Sequence, residues 1–184
     1  IIQLWFIYLL ESMCESWVFN LIGRFSEDID LILDWRLVSN ENPLNDQESK
    51  NKQVKFNEQI NENAKEYIQN ELLPIISQIL SPLCTCIIAE DGFSINVRYP
   101  NAFDDNYLRP EILLEIEPLA SWLPSYSFEI SSFAAQKFPE VFEKTKCSVN
   151  TIVAKRTFWE KATILHHEAN RPIDSAMPTR YSRH

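Results

Sequence analysis

The stretch Asp28-Ile29-Asp30-Leu31-Ile32-Leu33-Asp34-Trp35 decides how the rest of the chain is read. Successive side chains of an extended strand point to opposite faces. Ile29, Leu31, Leu33 and Trp35 therefore share one side, and Asp28, Asp30, Ile32 and Asp34 the other. The pattern predicts a strand with a buried side and an acidic side. Aspartates at i and i+2 leave the same face roughly 7 Å apart at Cα, close enough to converge on one divalent cation or to bridge two. Magnesium takes carboxylate and phosphate oxygens in octahedral geometry, so the pair suits the holding of a nucleoside triphosphate. A merely solvated acidic face would give the same pattern.

A second stretch, Glu111-Ile112-Leu113-Leu114-Glu115-Ile116-Glu117, alternates in the same way. Glu111, Leu113, Glu115 and Glu117 fall on one side and Ile112, Leu114 and Ile116 on the other. Two such strands in one sheet could bring their acidic sides together, and carboxylates from both could then surround two metal ions, as two-metal nucleotidyl or phosphoryl transfer requires. An antiparallel sheet that simply wets one face is the competing explanation.

Outward from these strands, residues 1–22 suggest a helix or helix pair, although their apolar residues occur all round and periodicity does not settle it. The first ten residues, IIQLWFIYLL, are too short for a membrane span, which needs roughly 20 apolar residues. Glu11 and Glu15 follow at once, and no basic residue precedes the run as a secretory signal would require. A buried helix or strand is expected there in preference to a membrane-associated segment or signal remnant, and the protein is taken as cytoplasmic. Residues 39–55 read as a polar loop. From Phe56 through Ile60, Ala64, Tyr67, Ile68, Leu72, Ile75, Ile76 and Ile79 the apolar spacing is helical, with a kink expected at Pro74 and an end at Pro82. Strands are predicted over 83–89, 93–99, 111–117, 127–131 and 148–153, with turns at Asp91-Gly92 and Tyr99-Pro100-Asn101. A last helix is expected to start near Thr157, where Thr157-Phe158-Trp159-Glu160 fits a capping box, and to run to about Asn170.

Composition excludes several classes. The 184 residues are 45% hydrophobic, enough for a substantial core, and Gly23 and Gly92 are the only glycines, so no glycine-rich phosphate loop exists. Cys14, Cys84, Cys86 and Cys147 form no CxxC pair and are expected as reduced, buried thiols. His166 and His167 are adjacent and would diverge by about 100° on a helix, a poor zinc pair. The net charge of −9 argues against a polyanionic partner, but its distribution is uneven. Residues 1–143 hold 9 basic and 23 acidic side chains, a net −14, whereas residues 144–184 hold 8 and 3, a net +5. A basic segment beside an acidic body could hold phosphates next to metal-binding carboxylates, or could be a solvated helix face.

The segments RFSEDIDL (24–31), YLRPEILLEI (107–116), RTFWEKATILHHEANRP (156–172) and RYSRH (180–184) together resemble the AbiEii/AbiGii-type nucleotidyltransferase toxin family. The resemblance spans roughly residues 20–184. It implies an α+β fold, a nucleotidyltransferase-like mixed β-sheet of the polymerase-beta type flanked by helices. The core would occupy 1–154, and a helical C-terminal region would begin over 155–184, which relatives continue into a further helix. By motif, the resemblance makes Asp28, Asp30 and Glu115 the metal ligands and catalytic carboxylates, with two Mg2+ ions and a nucleoside triphosphate as substrate. Glu117 stands where many relatives have a small residue. Ser26, Lys161, Arg171, Arg180 and Arg183 are implied to bind substrate, Lys161 by contacting phosphates. Glu160 is either part of that motif or the capping residue already noted. Relatives place a Gly-Gly-Thr or Gly-Gly-Ser element before the Asp-x-Asp strand, whereas residues 13–23 here read MCESWVFNLIG, with Ser16 at best a remnant.

The leading expectation is therefore a metal-dependent nucleotidyltransferase acting on an RNA acceptor such as tRNA, a toxin with an antitoxin protein as partner and with no membrane partner. A non-catalytic relative kept as an interaction protein is the alternative. A phosphohydrolase built on the same carboxylates is a third.

Overall fold

A computed structural model describes residues 7–9, 28–45, 47–101, 110–121 and 123–172. Among these residues the strands are β1 (Ile7–Leu9), β2 (Asp28–Leu33), β3 (Thr85–Ile88), β4 (Ser94–Arg98), β5 (Glu111–Glu117), β6 (Ser125–Ile130) and β7 (Cys147–Ile152). They form one 7-stranded sheet in the order β3-β4-β5-β2-β1-β7-β6. The pairs β2–β5 and β1–β7 are parallel, and the other neighbours are antiparallel. With helices α1 (Lys50–Tyr67), α2 (Leu73–Leu80), α3 (Phe133–Lys137) and α4 (Ala154–Ala169), the fold is α+β with a mixed sheet and a C-terminal helix.

At the opening of the chain, of the helix or strand expected for the first ten residues, a strand is found, and not the helix or helix pair expected over 1–22. Ile7–Leu9 is a strand, paired with β2 on one side and β7 on the other. An inner strand can carry an unbroken apolar run, which periodicity alone does not distinguish from a buried helix. The rest of the 1–22 segment lies outside the described residues.

β2 keeps its predicted alternation as far as Leu33 and then changes character. Ile32 and Leu33 are both buried, so both faces are covered at this end of the strand. Trp35 belongs to a 3-10 turn, Trp35–Leu37, and Asp34 caps that turn by accepting from the Arg36 backbone N–H. Asp34 is fully buried and held by the Arg36 guanidinium, so it does not extend the acidic face of Asp28 and Asp30.

The expected helix begins earlier than its first apolar residue. Ser49 is its N-cap, its hydroxyl accepting from the Lys52 N–H at 3.3 Å, and the first turn is polar. Ahead of Pro74 the chain widens into a π turn, Ile68–Leu72, before α2 resumes. Proline has no N–H to offer the preceding turn, and the wider spacing takes up that gap. Ile60, Ala64, Ile68, Leu72 and Ile76 pack against Leu33, Ile95, Val97 and Ile116 on one face of the sheet. Each fully buried aliphatic side chain contributes roughly 1.5–3 kcal/mol, so this stripe fixes which face of the sheet is core. The opposite face carries Asp28, Asp30 and Glu115.

Between β3 and β4, Gly92 adopts φ +74°, and Asp91 Oδ1 accepts from the Phe93 and Ser94 N–H groups. Cys84 and Cys86 are half-buried free thiols and Cys147 is exposed, so the expectation of buried thiols fails for Cys147, while Cys14 lies outside the described residues. The capping box at Thr157 is also overturned. α4 starts at Ala154 after Val153, with no side-chain cap, which leaves Thr157 inside the helix and 2% exposed. Among the described residues, no helix is long and apolar enough to cross a membrane.

Candidate active site

The parallel register of β2 and β5 brings the two acidic stretches side by side. Asp28 lies opposite Leu113, Asp30 opposite Glu115 and Ile32 opposite Glu117. Partners in adjacent strands share a face, so Asp28, Asp30, Glu115 and Glu117 occupy one side while Leu31, Leu33, Leu114 and Ile116 pack into the helical core. The antiparallel neighbour β4 extends the same face, with Ser94 opposite Glu115 and Asn96 opposite Leu113. The Ser94 hydroxyl is turned to Asp91 Oδ2 at 2.7 Å.

Electrostatics at this face follow from crowding. The Glu115 carboxyl is pushed up to about 7, first by burial, then by a hydrogen bond with Asp30, and further by repulsion from Asp30, Asp28 and Glu117. Glu117, exposed as a residue, is also raised: loss of hydration at its carboxyl contributes most, followed by Asp30 and Glu160. Like charges that converge on one face destabilise each other's ionised form unless a proton or a cation lies among them.

Glu160 and Lys161 are neighbours on α4, in the stretch Phe158-Trp159-Glu160-Lys161. Glu160 Oε1 receives Arg156 at 2.7 Å, an i,i+4 pair, while its Oε2 is buried with no hydrogen-bond partner. Glu160 does not close a capping box, and its charge adds to the rise of the Glu117 carboxyl. The Arg156-x-x-x-Glu160 spacing was the available signal for this pair. Lys161 is half-buried on α4. Arg171 pairs with Glu168 at 3.0 Å just beyond the helix. Ser26, Arg180 and Arg183 lie outside the described residues.

Among the described residues, no group of three His, Cys, Asp or Glu side chains stands in ready metal-ligand geometry. The chemistry of the donors nevertheless fits a hard divalent cation, since Asp28, Asp30 and Glu115 offer only carboxylate oxygens. The crowding that pushes the Glu115 carboxyl up is also what a bound cation would relieve. A polar cavity of about 500 Å³ lies elsewhere, between the 3-10 turn and the π turn, lined by residues that include Arg36, Asn63, Tyr67 and Glu71. It includes none of the carboxylates of the acidic face.

A family model described as "Nucleotidyl transferase AbiEii toxin, Type IV TA system" matches residues 16–184. No curated protein and no solved structure matches the chain.

Proposed function

The chain belongs to the AbiEii nucleotidyltransferase toxin family, and from that premise we propose that it transfers a nucleotidyl group from a nucleoside triphosphate to an RNA acceptor such as tRNA, with Mg2+, as the toxin of a cytoplasmic toxin–antitoxin pair. The family carries the toxin nucleotidyltransferase role, the triphosphate substrate and an antitoxin partner. The observation that supports the chemistry is the pairing of Asp30 with Glu115 in adjacent parallel strands, with Asp28 on the same face.

In this reading Asp28, Asp30 and Glu115 hold the cation. When bound, magnesium lowers the pKa of the attacking hydroxyl and neutralises charge on the pyrophosphate leaving group. The protein's own part is to hold carboxylate oxygens together on a rigid sheet face and to bring cationic side chains to the phosphates. Lys161, within the net +5 segment 144–184, supplies a point charge for the triphosphate that residues 1–143, at net −14, would otherwise repel. Arg171, Arg180 and Arg183 belong to the same basic segment and contact the phosphates of substrate or acceptor.

A second reading, a non-catalytic relative that acts by binding, is favoured by one observation. The sequence before β2 has no Gly-Gly element whose backbone N–H groups could receive the triphosphate. Incubation with each labelled nucleoside triphosphate, Mg2+ and total RNA separates the two. Label transferred by the wild type and lost in Asp30→Asn supports transfer. Triphosphate and metal binding without any transfer supports the second reading, and release of phosphate without an acceptor would indicate a phosphohydrolase.

A further inference from the structure

One row of side chains runs across four strands on the same face as the carboxylates. Ile87 of β3 lies opposite Asn96 of β4, Asn96 opposite Leu113 of β5, and Leu113 opposite Asp28 of β2. The alternate residues of these strands, Cys86, Ile88, Ile95, Val97 and Leu114, pack into the core beneath α1 and α2. Ile87 and Leu113 do not, and Ile87 is 41% exposed although it is a large aliphatic residue in a sheet.

Between the two lies Asn96, half-buried, and among the described residues no hydrogen bond engages its side-chain amide. A carboxamide offers two donor hydrogens and an acceptor oxygen. Half-exposed and with no protein partner among the described residues, it is open to a ligand whose hydrogen bond would replace one to water. Two aliphatic platforms on either side of an amide complement a flat ring that has apolar faces and a polar edge.

Strands lie about 4.8 Å apart. Asn96 is therefore about 10 Å, and Ile87 about 14 Å, along the row from Asp28. That is the separation between the phosphates and the base of one nucleotide lying along the sheet with its phosphates at Asp28.

We propose that the row Ile87–Asn96–Leu113 is a nucleobase subsite continuous with the carboxylate face, in which Ile87 and Leu113 support the ring and the Asn96 amide reads its edge. The proposal rests on the nucleotidyl-transfer reading for the position of the phosphates. The base could come from the incoming triphosphate or from the terminal nucleotide of the acceptor, and the recognising chemistry is the same.

The test measures, with the full chain and Mg2+, the affinities of tripolyphosphate, of the four ribonucleoside triphosphates, and of short oligoribonucleotides that differ only in the 3′-terminal base. Wild type, Asn96→Leu and Ile87→Ser are compared, with thermal melting to verify folding. Tripolyphosphate has no base, so its affinity should be the same in all three proteins. In Asn96→Leu the spread between the best and worst base should shrink about five- to ten-fold, the effect of one lost hydrogen bond to a buried amide, and Ile87→Ser should weaken every base. Compression among the triphosphates identifies the incoming base, and compression among the oligoribonucleotides identifies the acceptor's. Unchanged spreads in both sets overturn the subsite. Failure of wild type to bind tripolyphosphate overturns the nucleotidyl-transfer reading, whereas Asn96-dependent base preference in the oligoribonucleotides would leave the subsite standing.

Discussion

Asp30 and Glu115 stand opposite each other across the parallel strands β2 and β5, where burial and the neighbouring carboxylates Asp30, Asp28 and Glu117 push the Glu115 carboxyl up to about 7. Carboxylates crowded on one face disfavour one another's ionised form, so Glu115 keeps its proton to a higher pH than usual. The folded protein holds that proton up to about pH 7, whereas an ordinary glutamate releases it near 4.5. Between these values the native state binds more protons than the unfolded chain, so stability falls as pH rises through this window. Thermal midpoints of the metal-free protein should therefore decline from pH 5 to pH 8. Glu115→Gln should flatten the decline and melt about 2–4 °C above wild type at pH 8, the shift that roughly 1 kcal/mol produces in a domain of this size after discounting for solvent at the half-open face. A variant profile that tracks wild type at every pH would refute the raised Glu115 carboxyl.

If the carboxylate face is the cation site as proposed, proton and cation would compete for the same oxygens, and magnesium should protect most where the proton has left. Adding Mg2+ is expected to raise the melting temperature more at pH 8 than at pH 6, and chelation should reverse the gain. In Asp30→Asn the difference between the two pH values should disappear. Equal protection at both pH values in wild type would count against the carboxylate face as the cation site.

At the far end of β2 a different carboxylate is structural. Asp34 is 0% exposed, and its oxygens are occupied by the Arg36 backbone N–H and guanidinium. Removing the cation strands a buried charge, which costs about 3–5 kcal/mol when a buried pair is broken. With the guanidinium itself half-exposed, Arg36→Met should fall at the lower end, about 3 kcal/mol by urea denaturation. Loss of less than about 1 kcal/mol would show that water reaches Asp34.

The sequence made the acidic face more legible than the chain around it. Asp28 and Asp30, and Glu111 to Glu117, announce their strands by alternation, and β3, β4, β6 and β7 follow the turn residues between them. What alternation could not convey was that β2 and β5 would be neighbours, because register is a property of two strands together. Asp34 fitted the same alternation, yet one residue past the strand it becomes a cap. β1 was hidden by being apolar on both faces, and the start of α1 by a polar first turn signalled only by Ser49. Glu160 was misread because a Thr-x-x-Glu spacing is compatible with the middle of a helix as well as its start.

Lys161 tests the link between the basic segment and the triphosphate. Lys161→Gln should weaken binding of every nucleoside triphosphate by about tenfold or more, as expected for one charge-assisted contact. Its melting temperature should stay near that of wild type. Lys155→Gln, an exposed position one turn and a half earlier on α4, provides a charge-matched control that should leave affinity unchanged. Equal losses in both variants would mean that the segment acts by net charge alone.

Thr157 distinguishes the two accounts of α4 most directly. As an N-cap its hydroxyl would receive a backbone N–H, and replacing it would cost about 1 kcal/mol. In the structure Oγ1 is buried without a partner and the helix has begun at Ala154, so the hydroxyl is a buried polar group with nothing to satisfy it. Valine has the same shape and removes the unpaired oxygen. Thr157→Val is therefore expected to stabilise the protein by about 1 kcal/mol in chemical denaturation, with unchanged helix content by circular dichroism. Destabilisation of similar size, accompanied by loss of helical signal, would restore the capping box and return Glu160 to the helix start.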